Sequence, residues 1–239
     1  MLWRRASPTA LALLVSACLA AAGAAPAVPV LPERIPAPER ARLTRVAEAA
    51  SVSTHVEAAP FRSRPAVFEY LLDHPEFATH VTRTLKVARY RIWPDPEGLY
   101  LDDGWGTTGH FTVVYAQPGT RVMYASGQYK ARMLPSIRGE AVILLEYTFQ
   151  PADAGRDVVS STVTGFVKLD NRVLAMASRL ASSLAQTKAD TEARKLMRVF
   201  ARVSQALEDD AAGVYEQLRQ RPETPRRELE EFRQLLNLR

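Results

Sequence analysis

Residues 171–207, NRVLAMASRLASSLAQTKADTEARKLMRVFARVSQAL, decide the fold. Asp170 and Asn171 are helix-capping types, able to accept hydrogen bonds from the first free backbone N–H groups. No Pro or Gly follows until Gly213. Val173, Ala177, Leu180 and Leu184, then Leu196, Val199, Phe200, Val203 and Leu207, recur at the three-four spacing of an amphipathic helix. At ~1.5 Å per residue that helix is about 55 Å long, and another element must cover its stripe. A polar interval at 186–195 either overhangs that partner in solvent, lines a polar mouth or lies on a membrane surface. Arg172, Arg179, Lys188, Arg194, Lys195, Arg198 and Arg202 give the helix a basic bias; they do not all share one face, so they read mostly as a solvated surface with a modest attraction for anionic headgroups.

The cover comes from the chain before it. Segments 85–93, 99–103, 110–117, 121–130, 140–150 and 157–169 read as strands, separated by turn residues at 94–98, 104–109, 118–119, 135–139 and 152–155. That spacing predicts an antiparallel meander. Upstream, Val52, Thr54, Val56 and Ala58 alternate with Ser53, His55 and Glu57 as a half-buried strand at 51–58. Ser63 is placed to cap a helix with Pro65 in its first turn and Val67, Phe68, Leu71 and Leu72 as its apolar face. His74-Pro75 interrupts it, and 77–84 is a second short segment. The expected class is α+β, a curved antiparallel sheet of about seven strands wrapped on a long C-terminal helix within 51–207. Residues 208–239 are expected to be a helical extension. In it, 211–220 form a short helix, and Thr224-Pro225 open another striped by Leu229, Phe232, Leu235 and Leu236. That last helix either folds back on the domain or serves a partner or membrane surface.

Residues 1–25 read as an export signal, with Arg4 and Arg5 before an apolar run at 9–22 that is too short to span a bilayer. Two processing routes compete. Ala22-Gly23-Ala24 and Ala25-Pro26-Ala27 suit ordinary signal peptidase; Val15-Ser16-Ala17-Cys18 resembles a lipobox, which would lipidate Cys18. The reading is an exported protein of a bacterial periplasm or cell envelope, freely soluble or anchored through Cys18. With one cysteine the chain forms no internal disulfide. Prolines 26, 29, 32, 36 and 38 make 24–39 a stiff extended linker, and 41–50 a short lead-in helix. Net charge is only +5, with both signs interspersed, which argues against nucleic acid.

The order strand, two short helices, six strands, long helix resembles the helix-grip fold of the START and birch-pollen-allergen-like superfamily. Its carriers are Val56-Glu57-Ala58-Ala59-Pro60, then Ala66-Val67-Phe68-Glu69-Tyr70-Leu71-Leu72-Asp73-His74-Pro75-Glu76-Phe77, with 61–64 slightly longer than that pattern expects. The resemblance implies a cavity between sheet and helix for a lipid or other hydrophobic small molecule, and brings no catalytic signature or cofactor. Some members are cyclases or dehydrases. Three functions therefore stand: a binding module, an enzyme of that type using the same cavity, and a structural domain with a filled core. Membrane contact is a further expectation; the oligomeric state is open.

Alternation nominates Ile143, Leu145, Tyr147 and Phe149 as one inward row and Val122, Tyr124, Ser126 and Gln128 as a second. Candidate ligand contacts are Trp105, His110, Tyr124, Gln128 and Tyr147. Gly104-Trp105-Gly106-Thr107-Thr108-Gly109 spells G-x-G-x-x-G but runs into a strand, so it reads as a sharp sheet bend and not a nucleotide loop. His55, His74, His80 and His110 lack metal-ligand spacing. Asp102-Asp103 face opposite ways on a strand, and Ser160-Ser161 lacks a nucleophile elbow. Only His110 and Glu146 are conceivable acid-base groups, and alternation turns Glu146 away from Tyr147.

Overall fold

The computed structural model describes residues 29–130, 136–152, 156–170 and 179–238, the side chains of 179–186 and 188 excepted. The elements are α1 (Ala37–Glu48), β1 (Val52–Glu57), β2 (Phe61–Ser63), α2 (Pro65–Asp73), α3 (Pro75–Thr84), β3 (Arg91–Asp95), β4 (Gly98–Asp102), β5 (Thr107–Gln117), β6 (Thr120–Tyr129), β7 (Ile137–Pro151), β8 (Asp157–Leu169), α4 (Arg179–Arg219) and α5 (Arg226–Leu235). One open antiparallel sheet runs β1-β8-β7-β6-β5-β4-β3, with β2 paired to the far end of β8. The long helix α4 lies along β1, β2 and β8 and against α3. This is an α+β helix-grip architecture.

The meander follows from the turn residues, with corrections at its edges. The stretch expected as a strand at 85–93 instead closes α3 at Leu85 and sends Ala88 into the core. The strand starts at Arg91 and runs through Pro94 and Asp95, which were expected to be turn. Proline is tolerated there because β3 is the sheet edge, where a missing N–H breaks no ladder. Residues 137–139, expected as loop, begin β7. The short β2 occupies the excess residues at 61–64.

Two helix caps also differ. Arg64, not Ser63, precedes α2, and its side chain makes no cap bond; Ser63 is buried against the Ser204 hydroxyl on α4 at 3.0 Å. Pro225, not Thr224, precedes α5, and the Thr224 hydroxyl is buried without a partner. The expected start of the long helix at 171 lies outside the described residues. It does not end at 207: helical backbone continues to Arg219, broken only at Asp210 (φ −155°, ψ 75°). The short helix expected at 211–220 is its continuation past that kink.

The core has two main halves. On the α4 side, Val199, Val203 and Leu207 meet Phe77 and Val81 of α3 and Leu229 and Phe232 of α5. The last helix therefore folds back on the domain, with the Tyr70 hydroxyl donating to the Glu228 carbonyl and the Glu231 carboxylate. On the opposite face of the sheet, Leu31, Ile35, Leu43 and Val46 cover Val122, Val142 and Leu144. Residues 29–36 are thus no free linker. Leu31 and Ile35 anchor them to the sheet, and the helix starts at Ala37 because Pro36 can precede it while Pro38 fits its first turn.

Candidate functional site

The space between sheet and α4 is filled at one end and empty in the middle. At the filled end, Phe68 on α2 is ringed by Phe61, Tyr147, Phe149 and Phe200, with centroids 5.1–5.9 Å away. Beside them Arg121, its side chain 5% exposed, reaches Glu69 and Asp73 on α2 and the Gln117 carbonyl. The Tyr147 hydroxyl donates to Glu69 at 2.7 Å. Burial, then this bond, pushes the Tyr147 phenol well above its ordinary range, so it remains a donor. The network satisfies a buried cation and ties α2 to the sheet.

Beyond that plug lies a cavity of about 510 Å³. Its walls are Leu71 and Ala78 from α2 and α3, Ile92, Phe111, Met123 and Ile143 from the sheet, and Leu196 and Val199 from α4. The lining is almost wholly apolar. What empties it is the shortness of the side chains in the middle of the sheet. Gly109, Gly127 and Gly139 stand side by side across β5, β6 and β7, and Ala125 faces Ala141 two pairs further along, on the same face. A Cβ on any of these glycines would lie 2.4–2.6 Å from a neighbouring backbone oxygen. The glycines allow the strands to fold over this close approach, which curves the sheet around the hollow.

At one border Tyr90, Asp103 and Glu192 line the wall. The Tyr90 hydroxyl donates to Glu192 at 2.8 Å; burial first, then the neighbouring Glu192 charge, raises its pKa far beyond the ordinary phenol value. Asp103 accepts the backbone N–H groups of Trp105 and Thr107. In the wall itself the hydroxyls of Thr54 and Thr107 have no hydrogen-bond partner.

The sequence-nominated residues divide. The row Ile143, Leu145, Tyr147 and Phe149 faces α2 and α4 as expected; its first two members line the cavity and its last two belong to the aromatic plug. The second row was assigned the wrong phase. Met123 pairs with Ile143 and faces the cavity, whereas Val122 and Tyr124 face α1. Arg42 lies 4.0 Å over the Tyr124 ring, and the hydroxyl donates to Glu140. Burial and that carboxylate push the Tyr124 phenol up to about 12. Gln128 borders the cavity and accepts from Ser136 at 3.0 Å.

His110 also borders the cavity, but its imidazole turns to Asp95, Nε2 to Oδ2 at 2.6 Å, and stands edge-on to Tyr100. Desolvation pushes Asp95 upward; the His110 bond and charge, together with backbone N–H groups, outweigh it and hold its carboxyl below the usual range. Trp105 is 43% exposed and packs edge-on to Tyr90 at the polar border, with the Lys195 ammonium 3.2 Å from its ring centre. Glu146 is exposed on the other face. Within the polar interval of the long helix, Ala189, Glu192 and Ala193 line the cavity, in keeping with a mouth. Sequence reasoning missed Met123, Ala125 and Ala141; the register of β6 against β7, which pairs Met123 with Ile143 and Ala125 with Ala141, is the signal that would have found them.

A scan of protein-family models matches none, and a search of curated proteins returns no significant match. Solved structures do match. A hypothetical protein of Helicobacter pylori is 11% identical and covers 65% of this chain and 86% of its own, with a TM-score of 0.35. A truncated norcoclaurine synthase from Thalictrum flavum is 11% identical over 56% of this chain and 91% of that one, with a TM-score of 0.29. Similarity this distant carries no argument about the chain, whose architecture rests on the strand order and register above.

Proposed function

We propose that this chain is an exported binding protein for a lipid or other hydrophobic small molecule, held between the sheet and α4. The observation that carries the reading is the cavity of about 510 Å³ with an almost wholly apolar wall. Pockets that enclose a drug-sized ligand measure ~300–1,000 Å³ and are mostly apolar with a few polar groups. Burial of apolar ligand surface at ~25 cal/mol per Å² supplies the driving force, and the Tyr90–Glu192 border keeps a polar end of the ligand near water. Export rests on residues 1–25, with the mature chain beginning between Cys18 and Val28. N-terminal mass analysis of protein from its own cells checks this, and an intact Met1 on cytoplasmic protein refutes it.

The test of binding is to fill the cavity. Ala141→Phe places a ring where the structure has only a methyl, beside Ala125. The parent is expected to bind a hydrophobic fluorescent probe saturably, and the variant at least about ten-fold more weakly, ~1.4 kcal/mol, with an unchanged circular dichroism spectrum. Met123→Trp repeats the test from β6 in case Ala141→Phe disturbs folding. A parent that binds no probe and carries no lipid in native mass spectrometry refutes the reading.

A further inference from the structure

The exposed face of α4 carries a row of arginines beside the cavity and a cluster of carboxylates beyond it. Arg194, Arg198 and Arg202 are exposed at four-residue intervals, about 6 Å apart along the helix. None of the three has an ion pair or hydrogen-bond partner among the described residues. Several other arginines are matched: Arg156 with Glu208, Arg219 with Glu216, Arg227 with Glu231, Arg233 with Glu230. Past Gln205 the helix turns acidic at Glu208, Asp209 and Asp210. Leaving three guanidinium groups unmatched in a row concentrates positive potential on one turn-by-turn stripe.

An aromatic side chain flanks that stripe. Lys195 follows Arg194 and lies seven residues before Arg202, so it lies on nearly the same side of the helix as Arg202. Lys195 holds the half-exposed Trp105, and exposed Arg89 approaches the same ring from the segment before β3, at 5.9 Å. Tyr90 and Glu192, which border the cavity, lie directly beneath this Trp105–Lys195 contact. An exposed tryptophan beside unpaired arginines suits a membrane interface, where indole rings settle at headgroup depth and basic side chains meet anionic headgroups.

We propose that the Arg194–Arg198–Arg202 stripe with Trp105 is the surface by which this protein docks on an anionic phospholipid bilayer, bringing the polar border of the cavity to the lipid. The occupant is fixed by charge complementarity and by continuity with the cavity border. The role in ligand exchange rests on the binding function proposed above; the docking itself does not.

Flotation of the full chain with phosphatidylcholine vesicles, with and without phosphatidylglycerol, tests it against the triple variant R194Q/R198Q/R202Q. Both proteins share residues 1–25, so any contribution of that segment is common to them. The parent is expected to gain affinity when phosphatidylglycerol is present and to lose that gain in high salt. The triple variant is expected to lose on the order of a hundred-fold of it, about ten-fold or less per arginine. Quenching by bromolipids, compared between the parent and Trp105→Phe, is expected to place Trp105 at the bilayer. Probe binding in the cavity is expected to be equal in parent and triple variant, which separates failure of docking from failure of ligand binding. Equal flotation of the two proteins together with absent Trp105 quenching overturns the proposal. So does tighter arginine-dependent binding to an acidic protein or polynucleotide than to the vesicles.

Discussion

Gly127→Ala tests how the hollow is made. Gly127 sits between Gly109 and Gly139 at the centre of the curved sheet. An added Cβ would stand 2.5 Å from the Thr108 carbonyl oxygen and 3.0 Å from the Gly109 Cα. Relaxed contacts between carbons lie at about 3.5–4.0 Å, so β5 and β6 must separate by roughly 1 Å. Both obstacles are backbone, so no side-chain rotation relieves them. Overpacking of this kind costs about 1–3 kcal/mol. The lower entropy of the unfolded alanine chain returns about 0.4–1 kcal/mol, leaving a net loss of about 0.5–2 kcal/mol. With a urea slope of ~2 kcal/mol per M, the midpoint should fall by about 0.3–1 M. Measurement belongs on lipid-free protein, because a bound ligand stabilises by mass action. Gly165→Ala is the contrast: its Cβ meets only the Thr54 methyl, at 2.9 Å. Thr54→Ser removes that methyl and should restore the Gly165→Ala midpoint, but not that of Gly127→Ala. A Gly127→Ala protein with the parent's midpoint and the parent's probe affinity would refute the close approach and its part in shaping the cavity.

Two further outcomes follow from packing and charge. Phe68→Ala empties the centre of the aromatic plug and should cost about 3–5 kcal/mol, a urea midpoint lower by roughly 2 M at the same slope; a drop no larger than that of the half-exposed control Trp93→Ala refutes the plug. Burial, with Arg83 and Arg221 in support and Glu223 opposed, holds the His80 imidazole below its ordinary value. Its neutral form is therefore favoured by folding, so its contribution is full above the unfolded value of about 6.5 and is lost as pH falls through the folded one. His80→Gln should consequently lose less melting temperature than the parent between neutral pH and about pH 5, and equal losses refute this.

Periodicity carried the fold because each device acts locally. The turn at Pro118-Gly119 joins β5 to β6, the stripe Val199, Val203, Leu207 finds its partners, and the Ile143–Phe149 row takes its expected face. Register and phase are long-range and were less legible. In β7 both Val142 and Leu144 and the interleaved Ile143 and Leu145 are apolar. Residues 31–46 cover one face while α2 and α4 cover the other, so polarity does not say which face is which. The caps at Arg64 and Pro225 were missed for a related reason: Ser63 and Thr224 have the right chemistry but are buried, and the tertiary packing of their segments overrides the local preference.

The candidate site was read with its emphasis reversed. Tyr124 and Tyr147 were expected to line a ligand, as large side chains with one polar atom each. In the structure both hydroxyls are taken, by Glu140 and Glu69, and both rings are packed, one under Arg42 and one against Phe68. Large side chains fill space; a void requires their absence. The residues that create this one are Gly109, Gly127, Gly139, Ala125 and Ala141, which give a one-dimensional pattern no hydrophobic signal because they contribute so little surface. They become a signal only once the register aligns them across three strands. In a sheet that wraps a helix, then, the informative residues for a cavity are the small ones in lateral register, and the large aromatic ones mark where the cavity stops.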